Sequence, residues 1–204
     1  MNSDYTVEPL IPARFAEAAT MLGSAFQNDP VIASILPGIS PEKRSHKLAV
    51  MFEEMLAVCA RRNEPLAIID GRLVRAAAIL HRPGTYPLPL RTEIGLLWRA
   101  VRKTGPRGLA RFVHWSLRMS RHHPATEHYY LETLGVEPTL QGQGLGSAML
   151  QKIASLLDAA DIECVLETAN ERNIVLYRRF GFQVVSEEHI LGAHVRFMRR
   201  RPGG

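Results

Sequence analysis

Cysteine is scarce in this sequence, which has two such residues among 204, Cys59 and Cys164. Their wide separation excludes the closely spaced pairs that hold structural zinc. His122, His123 and His128 are also poorly spaced for a shared metal ion. We therefore expect no metal site, and we interpret both cysteines as reduced, buried thiols of a cytoplasmic protein.

Long apolar stretches are absent as well. No run approaches the roughly 18 residues that a membrane-spanning helix requires, although 46% of the residues are hydrophobic. Charges at Asp4 and Glu8 interrupt the first residues, which is unlike a secretory signal. Repeats and low-complexity segments are missing too. These features predict a single domain over residues 1–204 without a membrane partner.

Positive charge is in modest excess, and it favours an anionic partner. Lysine and arginine total 25 against 20 acidic residues, for a formal net charge of +5. The arginines are scattered over helix faces and a C-terminal cluster, Arg199–Arg201, and no nucleic-acid-binding motif accompanies them. We expect no nucleic-acid partner, because a small ligand with several phosphate groups would explain the same excess.

Apolar periodicity and turn residues predict an alternation of strands and helices. Strands are expected at residues 6–10, 66–69, 73–80, 129–136, 163–168, 182–186 and 194–198. Helices are expected from residue 12, from residue 41, after residue 144 and over 173–180, with a loop over 28–38. Two basic amphipathic helices, 92–103 and 108–121, form an insertion over about residues 90–122 that we expect to pack on the domain. The order of elements after residue 129 implies a βαβ crossover in a mixed sheet.

A glycine-rich turn, Gln141–Gly146, joins the strand over 129–136 to the next helix. A helix N-terminus leaves its first amides unpaired and carries partial positive charge, so it suits an anion. Gly142, Gly144 and Gly146 would let a phosphate group approach the backbone, and they permit unusual dihedral angles. The turn predicts a phosphate-binding site, although three glycines alone are also typical of a flexible loop.

Two other phosphate-binding motifs resemble this turn but differ in detail. The dinucleotide fingerprint of a nicotinamide-dependent oxidoreductase also opens a helix, and Glu163 and Glu167 lie near the place of its ribose-binding acid. However, Ser147 occupies the position of its third glycine, and residues 137–140 separate strand from turn. A Walker-type loop would need a Gly-Lys-Ser/Thr sequence, which does not follow.

Two motifs together resemble a known family. Leu134-Gly135-Val136 and, after four residues, Gln141-x-x-Gly144-x-Gly146 look like motif A of the GNAT superfamily of acetyl-CoA-dependent N-acetyltransferases. Asn173-Ile174-Val175-Leu176-Tyr177, followed by Phe180-Gly181-Phe182, looks like the next motif of that family. The order and spacing make the joint match specific, and the resemblance is strongest over residues 129–185.

Within the superfamily, the sequence is similar to the branch that contains puromycin acetyltransferase. The similar stretches are residues 123–131, with His128-Tyr129-Tyr130-Leu131 at their end, and Leu166-Glu167-Thr168. Two positions depart from the pattern. Tyr129 stands where that branch often has tryptophan, and Gln141 stands where motif A often begins with arginine.

The resemblance implies an α/β fold: a mixed, mostly antiparallel twisted sheet with splayed central parallel strands, flanked by helices. It also implies acetyl-CoA as cosubstrate and direct attack of a primary amine on the thioester, through a tetrahedral oxyanion. Backbone amides around Leu134 and Val136 would hold pantetheine like an additional strand. The implied cofactor-binding residues are Leu134, Gly135, Val136, Gln141, Gly142, Gln143, Gly144, Leu145, Gly146, Ser147, Asn173 and Tyr177.

Tyr177 is the general acid that the resemblance implies. A phenol with a pKa of about 10 suits protonation of a departing thiolate with a pKa of about 8.5. Tyr177 lies four residues after Asn173, so both residues share one helix face. A half-buried core tyrosine is the alternative interpretation.

Two carboxylates compete for the role of the general base that deprotonates the amine. Strand alternation places Glu132 on the same face as Leu134 and Val136, nearest the expected thioester. Glu167 on the neighbouring strand is the rival, and it could instead orient the ammonium group of the acceptor. Either carboxylate could also be a structural acid that pairs with an arginine.

The acceptor itself stays open at the level of sequence. A small-molecule amine is expected (an antibiotic, a polyamine or an amino-acid-like compound), and a protein terminus is the other possibility. The inserted helices are predicted to form a wall of the acceptor pocket. A non-catalytic acyl-CoA-binding regulatory module on the same fold is the alternative function, and a homodimer is the common default for assembly.

Overall fold

The computed structural model describes residues 5–86 and 106–203. Its described residues form seven strands: β1 (Val7–Pro9), β2 (Leu66–Asp70), β3 (Leu73–His81), β4 (Tyr129–Val136), β5 (Cys164–Thr168), β6 (Gln183–Ile190) and β7 (Ala193–Arg200). They make one sheet in the order β1-β2-β3-β4-β5-β7-β6. The predicted strands over 66–69 and 73–80 are confirmed as β2 and β3, which pair as an antiparallel hairpin.

The helices in the same residues are α1 (Phe15–Phe26), α2 (Pro30–Ile35), α3 (Pro41–Cys59), α4 (106–119), α5 (Leu145–Ala160) and α6 (Glu171–Arg178). Short 3₁₀ turns occur at Pro12–Arg14, Ser120–His122 and Pro138–Leu140. The predicted helix over 108–121 is confirmed as α4 and the turn after it. The helix predicted over 92–103 lies outside the described residues.

The loop predicted over residues 28–38 is wrong in part, because α2 lies within it. The Asp29 side chain accepts hydrogen bonds from the backbone amides of Val31 (2.9 Å) and Ile32 (3.1 Å), and Pro30 occupies the first helical position. An acidic N-cap followed by proline is a helix start as well as a turn signal. The helix was missed because it is short, not because its start was unmarked.

Apolar cores cover both faces of the sheet in the described residues. The α5 core contains Ala76 and Ala78 of β3, whereas the α1–α3 core contains Ala77 and Ile79 of the same strand. Alternate residues of a strand point to opposite faces, so β3 is buried on both sides. The small alanine side chains let helices pack closely on either face at the centre of the sheet.

The parallel strands β4 and β5 are paired at two positions only, Tyr129 with Cys164 and Tyr130 with Val165. Beyond these pairs β4 continues along β3, and β5 continues along β7. A gap therefore opens between β4 and β5 toward their C-terminal ends; we call it the β4–β5 gap. The predicted mixed sheet with splayed central parallel strands is confirmed.

Candidate active site

One edge of the β4–β5 gap consists of β4 backbone groups that turn away from β3. The amide of Glu137 donates to the carbonyl oxygen of Arg75 at 2.9 Å. In an antiparallel pair these contacts recur at every second residue, so the N–H and C=O groups of Gly135 also face β3. Those of Leu134 and Val136 therefore face the gap, where an extended ligand can pair with them as a strand would.

The glycine-rich turn follows the C-terminal end of β4, where the gap is open. Gly142 and Gly144 have φ angles of 80° and 98°, in the left-handed region that glycine adopts without a steric penalty. Gly144 is the N-cap of α5. The side-chain amides of Gln141 and Gln143 each donate a 3.3 Å hydrogen bond to a carbonyl oxygen of a preceding residue. These contacts hold the turn against the end of β4.

The first turn of α5 supplies the positive end of a helix. This turn consists of Leu145, Gly146 and Ser147, whose backbone amides have no acceptor within the helix. It contains no acidic side chain, so its partial positive charge is not neutralised. Leu145 is itself part of the α5 core. A Cβ on Gly146 would lie 3.4 Å from the side chain of Leu176, an ordinary van der Waals distance, so α6 packs beside this turn.

Gly135 has a packing role that motif comparison does not reveal. A Cβ at this position would lie 2.5 Å from Leu22 and 3.1 Å from Phe26, both on α1. That distance is shorter than any normal van der Waals contact, so a side chain here would force the Leu22 side chain to shift. Glycine therefore lets α1 pack closely on β4.

Helix α6 places Asn173 and Tyr177 one turn apart on the same face. Asn173 is half-buried, while Tyr177 is buried with its ring edge-on to Phe182 at a centroid distance of 5.8 Å. Burial, followed by the nearby carboxylates of Glu167 and Asp29, raises the pKa of Tyr177 above its ordinary value of 10.0. The phenol thus stays protonated over the physiological pH range, as a general acid must.

A β-bulge decides where Glu132 lies. The register between β3 and β4 shifts between Ile79 and Leu80, which leaves Glu132 as the additional residue of β4. The prediction that Glu132 shares a face with Leu134 and Val136 is therefore wrong. Its carboxylate Oε2 lies 2.8 Å from Nε2 of His81, on the opposite face from the α5 core.

His81 and Tyr86 belong to the site, and sequence reasoning missed both. The His81 ring is 2% exposed, and it lies 5.5 Å from the Tyr86 ring and 5.8 Å from the Tyr130 ring. Its Nε2 donates to the Glu132 carboxylate, whereas Nδ1 is buried without a hydrogen-bond partner among the described residues. The available signal was a polar side chain at the end of β3, after a run of apolar residues.

Glu167 lies on β5 at the other side of the gap. The phenol of Tyr130 donates to Glu167 Oε1 at 2.6 Å. Burial raises the pKa of Glu167 to about 7, the Tyr130 hydrogen bond opposes that rise, and the neighbouring Glu132 carboxylate adds to it. A carboxyl group with this pKa can take up and release a proton near neutral pH, which suits a general base.

A cavity adjoins Glu167 between β5, β7 and the residues that follow α4. His122, His123, Val185 and Arg199 contribute to its lining together with Glu167. The described end of the predicted insertion therefore lies at this cavity. The sequence predicted no metal ion at these histidines and gave no reason to separate one from the other.

Neither thiol is part of the site. Cys59 and Cys164 are free and buried, and burial raises the pKa of each to about 12. Over residues 5–86 and 106–203, no three His, Cys, Asp or Glu side chains are grouped as a metal site would require. In the same residues, no helix is long and apolar enough to cross a membrane.

Comparison with known families accounts for this arrangement. The family model of the acetyltransferase (GNAT) domain matches residues 97–184, which include β4, the glycine-rich turn, α5, β5 and α6. Residues 97–184 are therefore similar to a GNAT acetyltransferase domain. The residues around the β4–β5 gap all fall within the matched span, whereas β1–β3 and α1–α3 precede it.

Solved structures show that the GNAT fold extends over the whole chain. A Corynebacterium glutamicum protein described as histone acetyltransferase HPA2 and related acetyltransferase aligns with a TM-score of 0.76 at 25% identity, over 99% of this chain and 98% of its own. The Drosophila melanogaster polyamine N-acetyltransferase, which forms N-acetylagmatine, aligns with a TM-score of 0.64 at 14% identity, over 97% and 100% of the two chains.

A curated relative matches part of the chain in sequence. The N-alpha-acetyltransferase RimI of Mycobacterium tuberculosis is 32% identical over 79 residues, which are 37% of this chain. The alignment spans about half the length of that relative, 50%. This partial similarity supports the resemblance to the family, but it does not identify the acceptor of this protein.

Proposed function

We propose that this protein transfers the acetyl group of acetyl-CoA to a primary amine of a small molecule. The observation that carries the proposal is the junction of the open β4–β5 gap with the glycine-lined start of α5. Pantetheine would pair with the backbone of Leu134 and Val136, and the pyrophosphate would lie at the amides of α5. Asn173 would bind pantetheine from α6.

The proposed reaction uses Glu167 and Tyr177 on the two sides of the thioester. The amine attacks the carbonyl carbon and loses a proton to Glu167, while a β4 amide faces the oxyanion. The tetrahedral intermediate then expels the coenzyme A thiolate, which takes the phenolic proton of Tyr177. We assign the base to Glu167 rather than Glu132, because burial raises the pKa of Glu167 to about 7 and its carboxyl group lines the cavity beside β5 and β7.

A small-molecule amine is the first acceptor class to test. Its amine would approach Glu167 where His122, His123 and Arg199 line a small cavity of about 10 Å³. The resemblance over residues 123–131 to the puromycin acetyltransferase branch makes an aminonucleoside one compound to test. Polyamines are another, and the partial likeness to RimI makes a peptide N-terminus the third.

We further propose that the protein acts in the cytoplasm, and that it is a single domain with an insertion over about residues 90–122. A homodimer is the proposed assembly.

The direct test is thiol release from acetyl-CoA against a library of amines. We expect turnover with at least one primary amine, and a product whose mass increases by one acetyl group. Coenzyme A binding without turnover of any amine or peptide would favour the non-catalytic module instead. Turnover confined to peptides would move the acceptor class to proteins and leave the activity in place.

Replacing Gly144 with valine should abolish tight binding of acetyl-CoA. Wild-type binding is expected at micromolar affinity or better, about 8 kcal/mol, whereas NADH and ATP should bind far more weakly. Valine would fill the space needed by the pyrophosphate, and it would strain a residue whose φ is 98°. We expect a loss of at least about a hundredfold, measured by titration calorimetry, because one glycine controls access to several amides.

Gly192 provides the matched control. It has a φ of 90° in the turn between β6 and β7, and a Cβ there would meet no atom within 4 Å. Gly192→Val therefore imposes similar backbone strain away from the proposed cofactor site, and it should leave affinity unchanged. Intact binding by a folded Gly144→Val protein, or equal binding of NADH by the wild type, would remove the phosphate-site assignment.

A further inference from the structure

The adjacent histidines 122 and 123 differ in how their ring nitrogens are used. His122 Nδ1 lies 3.1 Å from the Ser186 hydroxyl, and Nε2 lies 2.8 Å from the Glu188 carboxylate. Its ring also stacks on Phe197 at a centroid distance of 3.6 Å. Both ring nitrogens of His122 therefore have hydrogen-bond partners on β6, and its ring packs on β7. These contacts hold the end of the insertion against the sheet.

His123 uses one nitrogen, and a short chain of contacts defines its tautomer. His128 Nδ1 lies 2.7 Å from the carbonyl oxygen of Thr126, which can only accept, so Nδ1 carries the hydrogen. In the neutral pair, His128 Nε2 is then an acceptor, and it receives the hydrogen of His123 Nδ1 at 3.0 Å. His123 Nε2 is left with its lone pair, and no described residue hydrogen-bonds to it.

The His123 ring is held in place by aromatic neighbours. Tyr86 stacks on it at 4.9 Å, and Tyr130 packs edge-on at 4.6 Å. The same Tyr130 donates its hydroxyl hydrogen to Glu167, so one side chain supports both polar groups. Burial lowers the pKa of His123 to about 4, and the neighbouring histidines 128, 122 and 81 lower it further in that order. The ring is thus neutral at pH 7.

We propose that His123 Nε2 binds the attacking amine together with Glu167, and that this pair selects primary amines. Both residues line the cavity next to the β4–β5 gap. A primary amine has two N–H bonds: one would be donated to Glu167 and the other to His123, which leaves the lone pair for the thioester. A secondary amine has one N–H bond and must give up one of these contacts. His128 is a positioning residue that holds the His123 tautomer.

This inference rests on the proposed acetyl transfer, and its first test compares two acceptors of one carbon skeleton. The wild type should prefer the primary amine over its N-methyl derivative in kcat/KM. His123→Phe keeps an aromatic ring but removes Nε2, and it should reduce that preference about five- to tenfold, as for loss of one neutral hydrogen bond. Acetyl-CoA affinity should not change. An unchanged preference in a variant that still turns over both amines would overturn the proposal.

The second test reads the tautomer directly. Nitrogen-15 NMR of the histidine rings should show the hydrogen of His123 on Nδ1 in the wild type. In His128→Phe the hydrogen should redistribute to Nε2, and the KM for the primary amine should rise about five- to tenfold with little change in kcat. His114→Phe, at an exposed position of α4, is the control and should alter neither. A tautomer that does not respond to His128→Phe would contradict the positioning role.

A third measurement separates this inference from the proposed function. With desulfo-coenzyme A bound, addition of a primary amine from the acceptor library should shift the His123 Nε2 resonance, and its N-methyl derivative should shift it less. If the wild type acetylates the amine without such a shift, the acetyltransferase assignment stands and the role of His123 falls. If no amine is acetylated, a shift of the His123 resonance by a primary amine would still support amine binding by His123. If that shift is also absent, both the acetyltransferase assignment and the role of His123 are wrong.

Discussion

Replacing Glu167 with glutamine is expected to lower kcat by about a hundredfold or more, as for loss of a general base. The same change should remove the acidic limb, which is the fall of kcat/KM at acidic pH that we expect for the wild type. The pKa of Glu167 is raised to about 7, and the base acts as its carboxylate. Wild-type kcat/KM should therefore fall as the pH decreases below about 7 and level off above it, before the acceptor's own titration intervenes. Steady-state kinetics from pH 5 to 9 would measure this.

Glu132→Gln is the matched comparison, since it removes a neighbouring carboxylate that pairs with His81. This variant should keep the limb near neutral pH and shift it downward, because Glu132 contributes to the raised pKa of Glu167. If instead Glu132→Gln abolished the limb and Glu167→Gln kept it, the two roles would be exchanged. If both variants kept it, water or a histidine would have to accept the proton.

Tyr177→Phe should reduce turnover by about a hundredfold or more, while acetyl-CoA affinity stays near that of the wild type. The phenolic proton is needed when the thiolate leaves, so its effect belongs to the transition state. Phenylalanine preserves the edge-on contact with Phe182 and the burial of the ring. Single-turnover thiol release, which isolates chemistry from product release, is the appropriate measurement.

Tyr5→Phe serves as the control for that substitution. Tyr5 is partly buried at the margin of the α5 core, away from α6, so loss of its hydroxyl should leave turnover unchanged. A Tyr177→Phe protein with wild-type single-turnover rates on a good acceptor would show that this tyrosine contributes packing alone. In that case solvent or another group would protonate the thiolate.

Most of the secondary structure could be predicted from short stretches of the sequence. β4 matches its predicted bounds because its apolar residues end just before Glu137-Pro138. The start of α5 follows from glycines that have positive φ. The short helix α2 escaped prediction because Asn28-Asp29-Pro30 suits a turn and a helix start equally well. Its six residues are too few for a periodic apolar pattern to decide between them.

Contacts across the sheet decided the rest of the site. Strand alternation could not place Glu132, because the bulge depends on how β4 pairs with β3 rather than on its own residues. Motif comparison named Gly135 as a cofactor-binding residue, and only the structure shows that a side chain there would meet Leu22 and Phe26 of α1. His81 and Tyr86 carry no motif, and they join the site through rings that come from separate elements.

The sequence by itself determined the order of elements, the family resemblance and the position of the glycine-rich turn, since each depends on neighbours within a few residues. It also named Glu132, Glu167 and Tyr177 as the groups able to exchange protons. Only the tertiary structure distinguished their environments. The pKa of Glu167 depends on desolvation and on residues 35 or more positions away in the chain, Tyr130 and Glu132. Such effects act through space, and no local pattern records them.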